Sequence, residues 1–188
     1  MQSTNNLYQL PENLPVPVDD GACNHLVGMR LPSVSLIATS GRVVNVSHLM
    51  GSVVVYCYPR MGQPGMEPSK GWDEIPGARG CTSQACAFRD HYHELQTLGA
   101  QVFGLSTQET EYQREAVERL HLPFELLSDW ALEFATQLHL PTFQVDAMTL
   151  IKRLTLIVRD GRIERVFYPV FPPDKNAEQV IHWLASPQ

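Results

Sequence analysis

What the sequence lacks narrows it before any motif is read. No apolar run approaches the roughly 18 residues of a membrane span, so no membrane partner is expected. Basic residues are outnumbered, 14 against 20 acidic ones, and the net charge of -6 leaves no electrostatic footprint for nucleic acid. There are no internal repeats and no low-complexity tracts. The opening stretch MQSTNNLYQLPENLPVPVDD lacks a basic region followed by an apolar one, so a secretory leader is not expected and the cytoplasm is the expected compartment. The four cysteines include no Cys-x-x-Cys pair. In a reducing cytosol, Cys81 and Cys86 are better read as redox or metal chemistry than as a structural staple.

What is present fits one globular domain with a sizeable core: 188 residues, 44% hydrophobic and 18% charged. Residues 1–24 read as an extended N-terminal arm and 25–188 as the domain. SVSLIATSGRVVNVSHL reads as a β-hairpin turning at Thr39-Ser40-Gly41, with Ser47 capping a short helical turn. GSVVVYCY is a β-branched and aromatic run suited to a strand buried on both faces. Residues 60–80 are rich in glycine and proline and read as an inserted loop, long enough to be functional or mobile. From Cys81, apolar residues at 85, 88, 92, 95 and 98 follow helical spacing up to a capping Gly99. AQVFGLS and FELLS read as further strands. Ser106 to Glu109 reads as a capping box opening a helix over 109–120, and DWALEFATQLHL as another helix. RLTLIV and RIERVFY flank the Asp160-Gly161 turn of a second hairpin, and NAEQVIHWLA closes the chain as a helix. The class is α/β: a mixed central sheet with helices on both faces and the first hairpin as an N-terminal extension.

Cys81 stands at a helix start, where the dipole and free N–H groups favour a thiolate. Arg79 adds nearby positive charge, and the glycine-rich approach favours exposure. Cys86 lies within the helix, where the dipole helps less. Five residues on an α-helix separate two side chains by about 7.5 Å of rise and 140° of rotation. A disulfide needs Cα atoms about 4.4–6.8 Å apart, so these thiols can bond only if the first turns unwind. Such a pair suits a thiolate that attacks a peroxide, becomes a sulfenic acid and is resolved by the second thiol. A cation would stabilise the leaving oxygen, and Arg153 is the candidate.

The strings Cys57-Tyr58-Pro59, GCTSQACAFRD (80–90), Leu126-Leu127-Ser128-Asp129 and Arg153-Leu154-Thr155 resemble the peroxiredoxins, most of all the Q or bacterioferritin-comigratory branch. The likeness runs from about residue 28 to 185. It implies a thioredoxin-like fold, peroxide reduction without metal or bound cofactor, Cys81 as peroxidatic cysteine, Cys86 as resolving cysteine and Arg153 as the active-site arginine. The implied partners are a hydroperoxide and a dithiol donor such as thioredoxin. Two positions depart from the family's Pro-x-x-x-Thr/Ser-x-x-Cys: Glu74 stands for the proline and Ala78 for the hydroxyl. Pro59 matches the strand-end proline but lies about fifteen residues too early, and Pro76 is the candidate to replace it in space.

Rival readings stand beside this one. In another register Cys86 attacks, with Ser83 three residues before it. Cys81 and Cys86 could be half of a zinc site with His91 and His93 nearby, but no second Cys-x-x-Cys or His pair has the usual ligand spacing. Cys57 is expected in the core and Cys23 in the arm without a role. Arg89 and Asp90 read either as an exposed helix pair or as a brace for the active-site helix, and Trp72 either packs the inserted loop down or meets a partner. A disulfide oxidoreductase on the same fold, or a non-enzymatic redox sensor using loop 60–80, are the other function classes. No exposed seam sets the choice between monomer and dimer.

Overall fold

The structure, a computed structural model, describes residues 6–187. In chain order its first elements are β1 (Leu36–Ala38), β2 (Val43–Val44), β3 (Ser52–Cys57), α1 (Cys81–Asp90), α2 (Tyr92–Thr97), β4 (Ala100–Ser106), α3 (Thr110–Leu120) and β5 (Glu125–Ser128). Then follow α4 (Glu133–Gln137), β6 (Thr142–Val145), β7 (Met148–Ile151), β8 (Leu154–Arg159), β9 (Arg162–Phe167) and α5 (Asn176–Ala185). Seven strands form one mixed sheet in the order β2-β1-β5-β4-β3-β8-β9. β3, β4 and β5 run parallel, and β8 pairs antiparallel with β3.

The β-branched run of β3 is buried along its whole length, as a strand with both faces covered must be. Its alternation divides the interior. Val54 and Tyr56 face a core built with Ala85 and Phe88 of α1, Ala116 and Leu120 of α3 and Val180 of α5. Val53, Val55 and Cys57 face the other core, filled by Phe134 of α4, by Leu138 just after it, and by Leu26 and Leu31 from the segment ahead of β1. That segment is stitched down by Gly28 N–H and Leu31 N–H, which donate to the carbonyls of Ile163 and Gly161, both at 2.8 Å. Gly104 of β4 leaves room for Tyr56: a Cβ there would lie 2.7 Å from the tyrosine Cζ.

Four local expectations are corrected and one pair of strands is added. The helix expected from Cys81 to Leu98 bends at His91 into α1 and α2. The bonds His91 N–H to Ala87 O and Leu95 N–H to His91 O carry helical pairing through the bend, so the apolar spacing never breaks. Ser106 does not cap α3. It ends β4, buried, and its hydroxyl accepts from Gln113 Nε2 at 3.0 Å, while Glu109 stands at the cap. The short turn after β2 is capped by Asn45, whose side chain accepts from Ser47 N–H, and not by Ser47. The helix expected over 129–140 contracts to α4, because Leu132 takes a left-handed conformation and Asp129 accepts from Phe134 and Ala135 N–H ahead of it. The β6–β7 hairpin was not foreseen at all. Its turn places Asp146, not glycine, at positive φ, and its strands are only half covered.

Residues 60–80 are largely irregular, with a 3-10 turn at Trp72–Glu74. Trp72 and Ala78 are buried against Val145 and Leu150 of the β6–β7 hairpin, in a third, smaller cluster. The tryptophan therefore packs the inserted segment down.

Candidate active site

The inserted segment delivers the chain to α1 through Gly80, whose φ of 106° is open to glycine and strained for other residues. A Cβ at Gly80 would lie 2.4 Å from Pro173 Cγ and 2.8 Å from Leu10 Cδ2, so the arm and the segment before α5 close directly over the helix start. Cys81 is the first residue of α1 and is only 3% exposed. The expectation of an exposed thiol is therefore corrected: the glycine approach gives close packing instead of solvent access.

Arg153, the residue before β8, is equally buried at 3%. Its guanidinium meets the N-terminal end of α1. Nη2 lies 3.2 Å from Cys81 Sγ and also donates to Ala78 O at 3.0 Å and Arg79 O at 3.2 Å. Nε donates to Gly77 O at 3.2 Å, and Nη1 donates to Gln84 Oε1. One cation thus faces the sulfur while holding three successive carbonyls of the turn before the helix. The Cys81 thiol itself points back at Ala78 O, 3.7 Å away. Arg79 turns toward Asp73, with which it pairs at 3.1 Å.

Gln84 was not singled out from the sequence. It lies one turn beyond Cys81, is fully buried, and bridges Arg153 to the start of α5, where its Nε2 donates to Asn176 Oδ1 at 3.0 Å. Thr155 Oγ1 donates to the same oxygen at 2.6 Å. Asn176 Nδ2 has no hydrogen-bond partner among the described residues. Leaving such a group unpaired costs about 1–3 kcal/mol. The one legible signal was a polar residue at i+3 from Cys81, on the helix face turned to the core.

Cys86 is half-buried, five residues along α1, and lines a groove with Tyr8, Leu10 and Pro11 of the arm. Burial pushes its thiol up, and the charge of Arg89 offsets part of that rise. All four cysteines are free thiols, and α1 is intact between 81 and 86. Cys57 lies in the core on the opposite side of the sheet from Cys81. Cys23 is also buried there, and burial pushes it up to about 12. Arg89 pairs with Asp90 at 2.9 Å and donates to Leu120 O at 2.9 Å, so it both forms a surface pair and ties α1 to α3. His91 pairs with Glu94 on α2, and His93 is exposed. Ser83, the residue supporting the rival register, has its hydroxyl 3.5 Å from Tyr8 O.

A cavity of about 390 Å3 opens beside Arg153. Its walls are apolar: Val16, Pro17 and Val18 of the arm, Ile75, Phe143 and Val170. Pro76 lies on the same wall, whereas Pro59 is buried at the end of β3. Asp20 stands at the rim, accepting from Lys152 Nζ at 3.0 Å and Tyr168 OH at 2.8 Å. These two partners hold its carboxyl at about 2.

Residues 26–181 match the Redoxin family model. Among curated proteins, the chain is 33% identical over 161 residues to a chloroplastic peroxiredoxin Q of Sedum lineare, covering 85% of this chain and 77% of that one. It is 32% identical over 158 residues to peroxiredoxin Bcp of Escherichia coli, covering 81% and 91%. Among solved structures, peroxidoxin BcpB of Mycobacterium tuberculosis superposes with a TM-score of 0.69 at 25% identity, over 85% of this chain and 97% of that one. A Xanthomonas campestris peroxiredoxin Q shares the fold with a TM-score of 0.64 at 16% identity, over 91% and 96%. A mixed sheet with a cysteine at the head of its first long helix, and matches of this extent, lead to one conclusion: the chain belongs to the redoxin family and, within it, to the peroxiredoxins of the Q/Bcp type, which are thiol peroxidases.

Proposed function

We propose that Cys81 is the peroxidatic cysteine, Cys86 the resolving cysteine and Arg153 the residue that stabilises charge during peroxide cleavage. The observation that carries this reading is the 3.2 Å approach of the Arg153 guanidinium to Cys81 Sγ at the first turn of α1. The thiolate attacks one oxygen of a hydroperoxide and the O–O bond breaks. The other oxygen leaves as alcohol or water after taking a proton, and Cys81 becomes a sulfenic acid. The cation lies where negative charge develops on the leaving oxygen. The first turns of α1 then unwind, and the Cys86 thiol condenses with the sulfenic acid, forming the disulfide and releasing water. A dithiol donor, of which thioredoxin is the type, reduces that disulfide by exchange and completes the cycle.

The rise of the Cys86 thiol through burial argues against the register in which it attacks, because the thiol and not the thiolate then prevails near neutral pH. The apolar cavity beside Arg153 favours organic hydroperoxides as well as hydrogen peroxide. Membership in the peroxiredoxins, and the absence of a Cys-x-x-Cys pair, leave the oxidoreductase and sensor readings without an observation of their own.

The test is intact mass and peptide mapping of reduced protein after one equivalent of hydrogen peroxide. Wild type is expected to lose two hydrogens and yield a Cys81–Cys86 linked peptide. Cys86→Ser is expected to trap oxidised Cys81, and Cys81→Ser to leave the peroxide unconsumed. Consumption by Cys81→Ser at Cys86 would reverse the two roles.

A further inference from the structure

We propose that Asn176 is a positioning residue for peroxide reduction: from the first turn of α5 it orients Gln84, and through Gln84 the guanidinium of Arg153. The inference rests on the roles given to Cys81 and Arg153 above.

The argument is one of hydrogen-bond polarity. A guanidinium carries only donors, so the Gln84 atom facing Arg153 Nη1 must be its oxygen. The other end of the same amide is then an NH2 group, and whatever it meets inside the protein must accept. It meets Asn176, which therefore presents Oδ1, and Thr155 Oγ1 donates to that oxygen from the other side. Every link is forced by the one before it. Gln84, Thr155 and Asn176 are each fully buried, away from bulk solvent. The unpartnered Nδ2 of Asn176 is the mark of the constraint. A freely chosen orientation would turn that amide to satisfy its own N–H2 group, but here the oxygen is required by two donors at once.

The relay also has mechanical sense. Gln84 lies in the turn of α1 that must open for Cys86 to reach Cys81, whereas Asn176 and Thr155 belong to α5 and β8. In the intact helix, Gln84 is thus referenced to elements outside the unwinding segment. When α1 re-forms after reduction, Asn176 Oδ1 is already in place to receive Gln84.

The experiment follows two phases separately in rapid-quench mass measurements with hydrogen peroxide. One is the second-order oxidation of Cys81 and the other the first-order disulfide formation at saturating peroxide. Asn176→Ala is expected to slow oxidation about tenfold, the scale of a displaced catalytic group, without slowing disulfide formation. Asn176→Asp is expected to restore oxidation to within about twofold, because either protonation state keeps an acceptor oxygen and the unpartnered N–H2 is gone. Gln84→Ala with Asn176→Ala is expected to be no slower than Gln84→Ala alone, the signature of two residues acting in series. Wild-type oxidation in Asn176→Ala, multiplying effects in the double variant, or a parallel slowing of both phases would overturn the proposal. Should Asn176→Ala lack the native circular dichroism spectrum, Thr155→Val, which removes one donor from Oδ1, replaces it. That variant is expected to slow oxidation in the same direction, and a wild-type rate there overturns the proposal equally. Arg153→Met runs in the same series. If it oxidises at the wild-type rate, the underlying assignment of Arg153 fails, and the relay with it. If it is slow while Asn176→Ala is not, only the relay fails.

Discussion

At the scale of single residues, the site is a cation whose donors are almost all spent on protein. Arg153 uses its planar fork to grip the carbonyls of Gly77, Ala78 and Arg79 and the side chain of Gln84, and to face the sulfur of Cys81. A lysine has the charge but not the fork. Arg153→Lys is therefore expected to lose about a hundredfold in kcat/KM for hydrogen peroxide, close to Arg153→Met, in steady-state assays with a dithiol reductant. A lysine variant near wild-type activity would mean that charge alone matters. The neighbouring cavity supplies a different residue-scale expectation. Val18, 80% exposed, forms part of its apolar wall. Val18→Asp is expected to lower kcat/KM for cumene hydroperoxide about tenfold while sparing hydrogen peroxide, which has no apolar group to bury. An equal fall for both substrates would remove the cavity from substrate selection.

At the scale of elements, the proposed chemistry rests on how α1 begins. Gly80 sits at positive φ with Pro173 and Leu10 packed where a side chain would be. Gly80→Ala is expected to cost about 1–3 kcal/mol in urea unfolding, through backbone strain and the displacement of both neighbours. A change below about 0.5 kcal/mol would show that the closure over the helix start yields easily. Much of this was legible beforehand. The buried run of β3, the Asp160-Gly161 hairpin and the thiol at the head of a helix are local signals, each written within a few consecutive residues. Arg153 was a candidate from chemistry but gained weight only through resemblance, because nothing within RLTLIV marks its first residue as facing a sulfur 72 positions away. Gln84 and Asn176 escaped because their meaning is relational: each is an ordinary polar helix residue until the fold buries both against Thr155. The burial of Cys81 was misread for the same reason. A glycine ahead of a helix signals conformational freedom, and only the tertiary packing decides that Pro173 and an arm leucine occupy the space it leaves.

At the scale of the whole molecule, the N-terminal segment joins the two ends of the story, since it contributes Cys23 to one core and Leu10 to the cover of the helix that carries Cys81. Its attachment is pH-dependent at both extremes. Asp20 titrates at about 2 because Lys152 and Tyr168 favour its charged form. A depressed carboxylate stabilises above its unfolded value near 3.9, and that contribution disappears as pH falls toward about 2. The alkaline side has the opposite sign. Burial pushes Cys23 up to about 12 and raises Cys57, Tyr56 and Tyr58 as well. An unfolded thiol loses its proton near pH 8.5 and an unfolded tyrosine near 10, whereas the folded groups retain theirs. Above about pH 8.5 the unfolded chain therefore binds fewer protons than the native one, and stability declines with rising pH. Urea unfolding between pH 7 and 11 is expected to show a plateau up to about 8.5 and a slope that steepens near 10. Cys23→Ser removes one titrating group, so its slope between about pH 9 and 11 should be shallower by one proton, or about 1.4 kcal/mol per pH unit. Parallel slopes for wild type and Cys23→Ser would mean that this thiol ionises as readily in the folded protein as in the unfolded chain. The segment carrying it would then stand open to water, and the arm would no longer connect the core on one side of the sheet to the helix that carries Cys81 on the other.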